Sequence, residues 1–133
     1  MKTWTEKLNC GKKPQLKKND KPFAGIPKDS MMYISTPEEI NSYIMNIPKG
    51  VTITPKQMRE DLAKSNHTDY TCPVTTGIFL RIVAEAAYEK YSISKKTDEI
   101  TPFWRVIEPN AKVAEKLACG IQFISKQRSL EEN

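Results

Sequence analysis

The sequence predicts an α+β domain that is mostly helical, and three observations lead there. Thr36-Pro37-Glu38-Glu39 and Thr54-Pro55-Lys56-Gln57 repeat one helix-start device: a capping threonine, proline at the first helical position, and Glu or Gln two residues later. Cys72–Tyr88 is the longest apolar run in an otherwise polar chain. Its Ile78, Phe79, Ile82, Val83, Ala86 and Ala87 recur at the three- and four-residue spacing of a helix packed on a core. Against these helices stand two short runs of strand character, Met31–Ile34 and Thr101–Ile107.

Taken in order, residues 1–9 open with a short helix in which Trp4 and Leu8 lie four apart. Residues 10–30 place Gly11, Pro14, Pro22, Gly25 and Pro27 among lysines and read as an irregular arm. The chain thus divides into a basic, partly irregular arm (1–30) and a folded domain (31–133). After the Met31–Ile34 strand, the Thr36 helix buries Ile40, Tyr43 and Ile44 and stops at Pro48-Lys49-Gly50. Val51–Ile53 is extended. The Thr54–Ser65 helix turns Met58 and Leu62 inward and Lys56, Arg59, Glu60 and Lys64 outward. A polar turn with His67 leads to the apolar helix, where Pro73 suits the first turn. Two helices across a short polar turn form a helix-turn-helix candidate. Residues 92–100 read as a charged loop and Thr101–Ile107 as a strand. Asn110 is expected to cap a helix carrying Val113 and Leu117, and Gly120 to end or bend it before residues 121–130 resume helical character.

A chain of 133 residues is one domain's worth, able to bury roughly two-thirds of its unfolded surface without a disulfide or metal. Cys10, Cys72 and Cys119 are odd in number and lack Cys-x-x-Cys spacing, and His67 is the only histidine. That argues against a zinc site or disulfide framework, and with no signal-like or membrane-length run it points to the cytoplasm. No membrane or metal partner is expected. Residues 1–30 carry eight lysines against Glu6, Asp20 and Asp29, which equals the whole net charge of +5; residues 31–133 are neutral. Such an arm is either a solvated leader or a tether to nucleic acid or another polyanion.

Several side chains carry both a plain and a chemical reading. The N-terminus of the Pro73 helix, with Thr75 and Thr76 in its first turn, is either a structural end or a place that meets phosphate. Cys72 there is either a small buried hydrophobe or a thiolate with a lowered pKa, with His67 nearby in sequence as a base. Phe103 and Trp104 either fill core and surface on opposite sides of a strand or offer a face to a base. Arg81 either pairs with Glu85 or enters a duplex. Lys56 and Arg59 are phosphate candidates, with Glu60 and Asp61 among them.

In this order the pieces resemble the DNA-binding domain of the alkylguanine-DNA alkyltransferases and the related alkyltransferase-like proteins, over about residues 40–132. Ile47-Pro48-Lys49-Gly50-Val51-Thr52-Ile53-Thr54 looks like the family's Ile-Pro-x-Gly-x-Val-x-Thr entry. Pro102-Phe103-Trp104-Arg105-Val106-Ile107 stands where the family has Pro-Cys-His-Arg-Val-Val. The chain looks closer still to short members carrying Cys-Pro-x-Thr-Thr-Gly-Ile-Phe and Thr-Pro-x-Trp-Arg. The resemblance implies a winged helix-turn-helix domain with a short N-terminal extension. It also implies that catalysis is lost: Phe103 takes the place of the alkyl-accepting cysteine and Trp104 that of its histidine. Pro55 replaces a tyrosine and Gly77 the arginine that enters the duplex, while Arg105 is kept.

The expectation is a non-enzymatic protein that binds duplex DNA without cofactor, linked to recognition of alkylated DNA. It would use Lys56, Arg59, Thr75, Thr76, Arg81 and Arg105, with Phe103 and Trp104 at the pocket. The alternatives are a protein-interaction module on the same fold, binding a protein partner, and a thiol-dependent enzyme through Cys72.

Overall fold

The computed structural model describes residues 2–132. Its elements are α1 (Trp4–Leu8), β1 (Gln15–Lys18), β2 (Met31–Ile34), α2 (Pro37–Met45), α3 (Pro55–Ser65), β3 (Tyr70–Thr71), α4 (Pro73–Ser94), α5 (Lys112–Lys116) and α6 (Ile121–Glu131). Single 3₁₀ turns lie at Thr97–Glu99 and Phe103–Arg105. The α+β, mostly helical class is therefore seen directly.

The helix starts follow the local chemistry. Thr36 Oγ1 accepts from the Glu39 N–H (3.1 Å) and Thr54 Oγ1 from the Gln57 N–H (3.0 Å). In each case only half of the capping box closes, because the Glu39 and Gln57 side chains bond elsewhere. Glu39 gathers the Tyr33 hydroxyl (2.8 Å), the Ser35 hydroxyl (2.6 Å) and the Asn66 amide (3.3 Å), tying β2, α2 and α3 together. The complete box is at α1, where Thr3 and Glu6 bond reciprocally.

Inside, Ile40 and Ile44 of α2 meet Met58 and Leu62 of α3 and the buried side of α4. That side holds Phe79, Leu80, Val83, Ala84 and Ala87; Ile78, expected in the core, faces out at 55 % exposure. Apolar residues cover nearly every face of α4, so spacing alone does not say which face turns inward. The helix also runs to Ser94, past the expected end near Tyr88, and stops at Lys95 in the left-handed conformation.

The sheet has the order β1-β2-β3. β1 pairs antiparallel with β2, Gln15 opposite Ile34 and Lys18 opposite Met31. The parallel pair β2–β3 sets Tyr33 beside Thr71, and the Cys72 N–H continues it to the Tyr33 carbonyl (2.8 Å). Part of the arm is therefore a strand, where an irregular course was expected for residues 10–30. Gln15–Lys18 carries no apolar alternation, and its pairing with β2 is a tertiary event.

Thr101–Ile107 is not a strand. Phe103–Arg105 forms a 3₁₀ turn that puts both Phe103 (0 % exposed) and Trp104 (2 %) into the core. Neighbouring residues of a strand point to opposite faces, so a strand could not bury both against one core. Nor does Asn110 cap: the N-cap of α5 is Ala111, without a side-chain bond. Gly120 separates α5 from α6 at φ 82°, a backbone setting that glycine adopts without strain. Among the described residues no strand follows α4, and the only antiparallel strand pair precedes it.

Candidate nucleic-acid interface

The expected pocket is filled at Phe103, and Trp104 and Arg105 only edge a neighbouring cavity of about 430 Å³. Phe103 stacks on Phe123 (6.0 Å between centroids) and meets Trp104 edge-on (5.4 Å). The Trp104 indole donates to Glu131 (2.9 Å), and the Trp104 carbonyl accepts from Arg128 (2.7 Å). Arg105 grips Glu131 through Nε (3.0 Å) and Nη2 (2.8 Å) and donates from Nη1 to the Ile47 carbonyl (2.7 Å). Burial raises the Glu131 pKa, but the bonds from Arg105 and Trp104 outweigh it and hold the carboxyl below its ordinary value. Phe103 and Trp104 thus offer no face to a base, and Arg105 pins α6 instead of reaching solvent.

The first turn of α4 is partly closed as well. Thr76 is buried and donates to the Cys72 carbonyl (2.6 Å). Thr75 is half-buried, its hydroxyl without a hydrogen-bond partner. Cys72 is buried against Ile26 and Met32, while His67 stands exposed on the turn after α3. Burial, with Glu85 adding to it, pushes the Cys119 thiol up to about 11. Lys56 and Arg59 border a cavity of about 350 Å³ together with Glu60 and Asp69, a mixed field. Among the described residues no cluster of three His, Cys, Asp or Glu is placed to hold a metal ion, and no helix is long and apolar enough to cross a membrane.

What the fold does assemble is a groove of about 530 Å³ along the outer face of α4. Val74, Gly77, Ile78 and Arg81, spaced at three and four residues, run along it. Trp4 and Lys7 of α1 and Lys112 and Lys116 of α5 line it as well, so the charged lining residues are all cationic. Arg81 is 3.6 Å from the buried Glu85, too long for a hydrogen bond, and donates from Nη2 to the Lys116 carbonyl (3.3 Å). Its guanidinium also lies 5.3 Å from the centre of the Trp4 ring, within cation–π range. The expected Arg81–Glu85 pair therefore exists, and Arg81 remains 38 % exposed.

The arm comes to the same place. Glu89 of α4 accepts from the Trp4 N–H (3.1 Å), the Thr5 N–H (2.9 Å) and the Thr5 hydroxyl (2.9 Å), docking α1 on α4. Burial raises the Glu89 pKa, and these donors, with the Lys7 charge, together bring it below its ordinary value. Lys12 reaches over Phe79 (5.6 Å), and Lys17 and Lys21 border a second groove with Val74 and Thr75. Lysines that are scattered through the arm in sequence thus gather around the first half of α4. Lys112 and Lys116 were not singled out from the sequence; the one available signal is their four-residue spacing. Family models, curated proteins and solved structures all return no match to this chain.

Proposed function

We propose that this chain is a non-enzymatic DNA-binding protein that holds duplex DNA against the N-terminal half of α4. One observation carries the reading: lysines from the arm, α1 and α5 converge on one exposed face of a helix that the sequence marks as the second of a helix-turn-helix. Cations that outnumber the neighbouring carboxylates, Asp20 and Glu85, favour a polyanion. We read α3 and α4 as the helical part of a winged-helix domain of the alkyltransferase-like kind, with β1–β2 supplying the antiparallel pair ahead of the helices. The filled site at Phe103 argues for binding without base flipping, so a role with alkylated DNA would rest on duplex shape and not on a lesion pocket. The unpaired cysteines favour a reducing setting such as the cytoplasm.

Fluorescence anisotropy with a short labelled duplex tests this across a salt series. Binding is expected to weaken linearly on a log–log plot, with a slope of about −0.9 per phosphate neutralised. Lys112→Ala with Lys116→Ala is expected to make that slope shallower by nearly two. No binding at low salt, or a slope the double variant leaves unchanged, would sink the proposal.

A second reading has its own support. Val74 and Ile78 expose about half of their surface beside the cations, as a surface for an acidic, apolar protein segment would. A duplex that fails to bind, alongside a peptide that does, would favour it.

A further inference from the structure

We infer that the cavity beside Trp104 binds a small neutral molecule with an apolar body and a cis-amide edge, a primary carboxamide or a lactam. It shares no lining residue with the groove on α4, so the inference stands apart from the DNA-binding reading. The observation that carries it is Gln127. This residue lies on the buried stripe of α6, three residues after the fully buried Ile124, where an apolar side chain would be expected. It is itself only 7 % exposed. Its polar neighbours on α6 are partnered: Arg128 donates to the Trp104 carbonyl, and Glu131 accepts from Trp104 and Arg105. Among the described residues the Gln127 side chain has no partner, and it lines the cavity of about 430 Å³. A buried amide without a partner is costly, and one that opens into a cavity is a donor and an acceptor already in place.

The rest of the lining sets the kind of ligand. The volume falls in the range of small-molecule pockets, about 300–1,000 Å³. Ile100, Pro102 and Trp104 give buried apolar walls, and Met45 and Leu130 add apolar surface that is more than half exposed. The charged lining residues balance, Lys49 and Arg105 against Asp98 and Glu131, and Arg105 and Glu131 are already bound to each other. Such a field prefers neither an anion nor a cation. Gln127 carries a carbonyl oxygen and an N–H side by side on one edge. Their complement is an N–H and a carbonyl on one edge of the ligand, as in a primary carboxamide or a lactam. A trans secondary amide holds the two on opposite sides and can complete only one of the bonds.

The test titrates the isotope-labelled full chain with six probes: benzamide, 2-pyridone, N-methylbenzamide, toluene, benzoate and benzylamine. NMR follows the Gln127 side-chain amide and the Trp104 indole N–H. At least one of benzamide and 2-pyridone is expected to bind about tenfold more tightly than toluene, from two hydrogen bonds. N-methylbenzamide should bind several-fold more weakly than benzamide. Preference for benzamide would identify a carboxamide as the natural group, and preference for 2-pyridone a lactam; either supports the inference. Gln127→Leu should erase the advantage over toluene while raising the Tm by about 3 °C, since leucine suits the buried stripe. A lower Tm in that variant would mean that the protein itself satisfies the amide, and would overturn the inference. So would toluene matching both amides, N-methylbenzamide matching benzamide, a charged probe binding more tightly than both neutral amides, or no shift with any probe. None of these outcomes touches the salt slope of duplex binding, so the two readings fail separately.

Discussion

The Phe103–Arg105 turn and the first half of α4 are both rich in apolar residues next to an arginine, yet one is closed and the other open. At the turn, Phe103 and Trp104 are covered by Phe123 of α6, and Arg105 spends its donors on Glu131 and the Ile47 carbonyl. Along α4, Val74 and Ile78 have no such cover, and Arg81 keeps more than a third of its surface in solvent. The difference lies in what comes back over each segment. α6 returns across the turn as a lid with a carboxylate in the right place. The arm returns beside α4 as a flank of lysines and leaves the groove between α1 and α5 uncovered. An apolar residue beside a cation is therefore core or interface according to a distant part of the chain.

The sharpest way to break this contrast is to truncate the closed side. Phe103→Ala is expected to cost about 3–5 kcal/mol in denaturant unfolding, since it opens a cavity under Phe123 and Trp104. Were Phe103 instead the floor of an open pocket, the loss would be near that of a surface change. Arg105→Ala comes next, at about 3 kcal/mol, because it leaves the Glu131 carboxylate largely buried without its main partner. Arg105→Lys should recover only part of this, a single ammonium being unable to reproduce the two-pronged grip on Glu131. A DNA-contact role for Arg105 would show the reverse: unchanged stability and a shallower salt slope.

Acid probes the same lock more gently. The folded-state pKa of Glu131 is depressed below its ordinary value of 4.5, so its contribution is fully present above that value and is lost as pH falls through the folded pKa. The denaturation midpoint should therefore drop below about pH 4.5, and Glu131→Gln should flatten that part of the profile. A midpoint with the same acid limb in wild type and variant would mean that Glu131 is not the group responsible.

The two regions also differ in how legible they are from sequence. Helix starts at Thr36 and Thr54 are written in four adjacent residues, and the fold places both as expected. The strand at Met31–Ile34 and the helix pair around His67 are likewise local. Thr101–Ile107 misleads because β tendency describes a residue's fit to a pleated surface, and no neighbouring strand is there to supply one. β1 is hidden for the converse reason: a partner exists, but Gln15–Lys18 shows no pattern that announces it. The groove was the least readable of all. Trp4, Gly77 and Lys116 are far apart in sequence and meet because Glu89 docks α1 on α4, while Arg81 donates to the Lys116 carbonyl and Glu85 accepts from the Ala118 N–H just past α5.

The smallest effect is the most telling for the open side. Ile78→Ala removes the same kind of apolar bulk as Phe103→Ala, from a side chain that already stands half in water. Little surface leaves contact and no cavity forms, so stability should change by no more than about 0.5 kcal/mol. Binding, on the reading proposed above, should weaken several-fold in the same variant. Paired measurements of unfolding and anisotropy on Ile78→Ala and Phe103→Ala would then separate the two functions of apolar surface in this chain. A loss of stability at Ile78 comparable with that at Phe103 would mean that α4 has no free face, and the groove would have to be redrawn as part of the core.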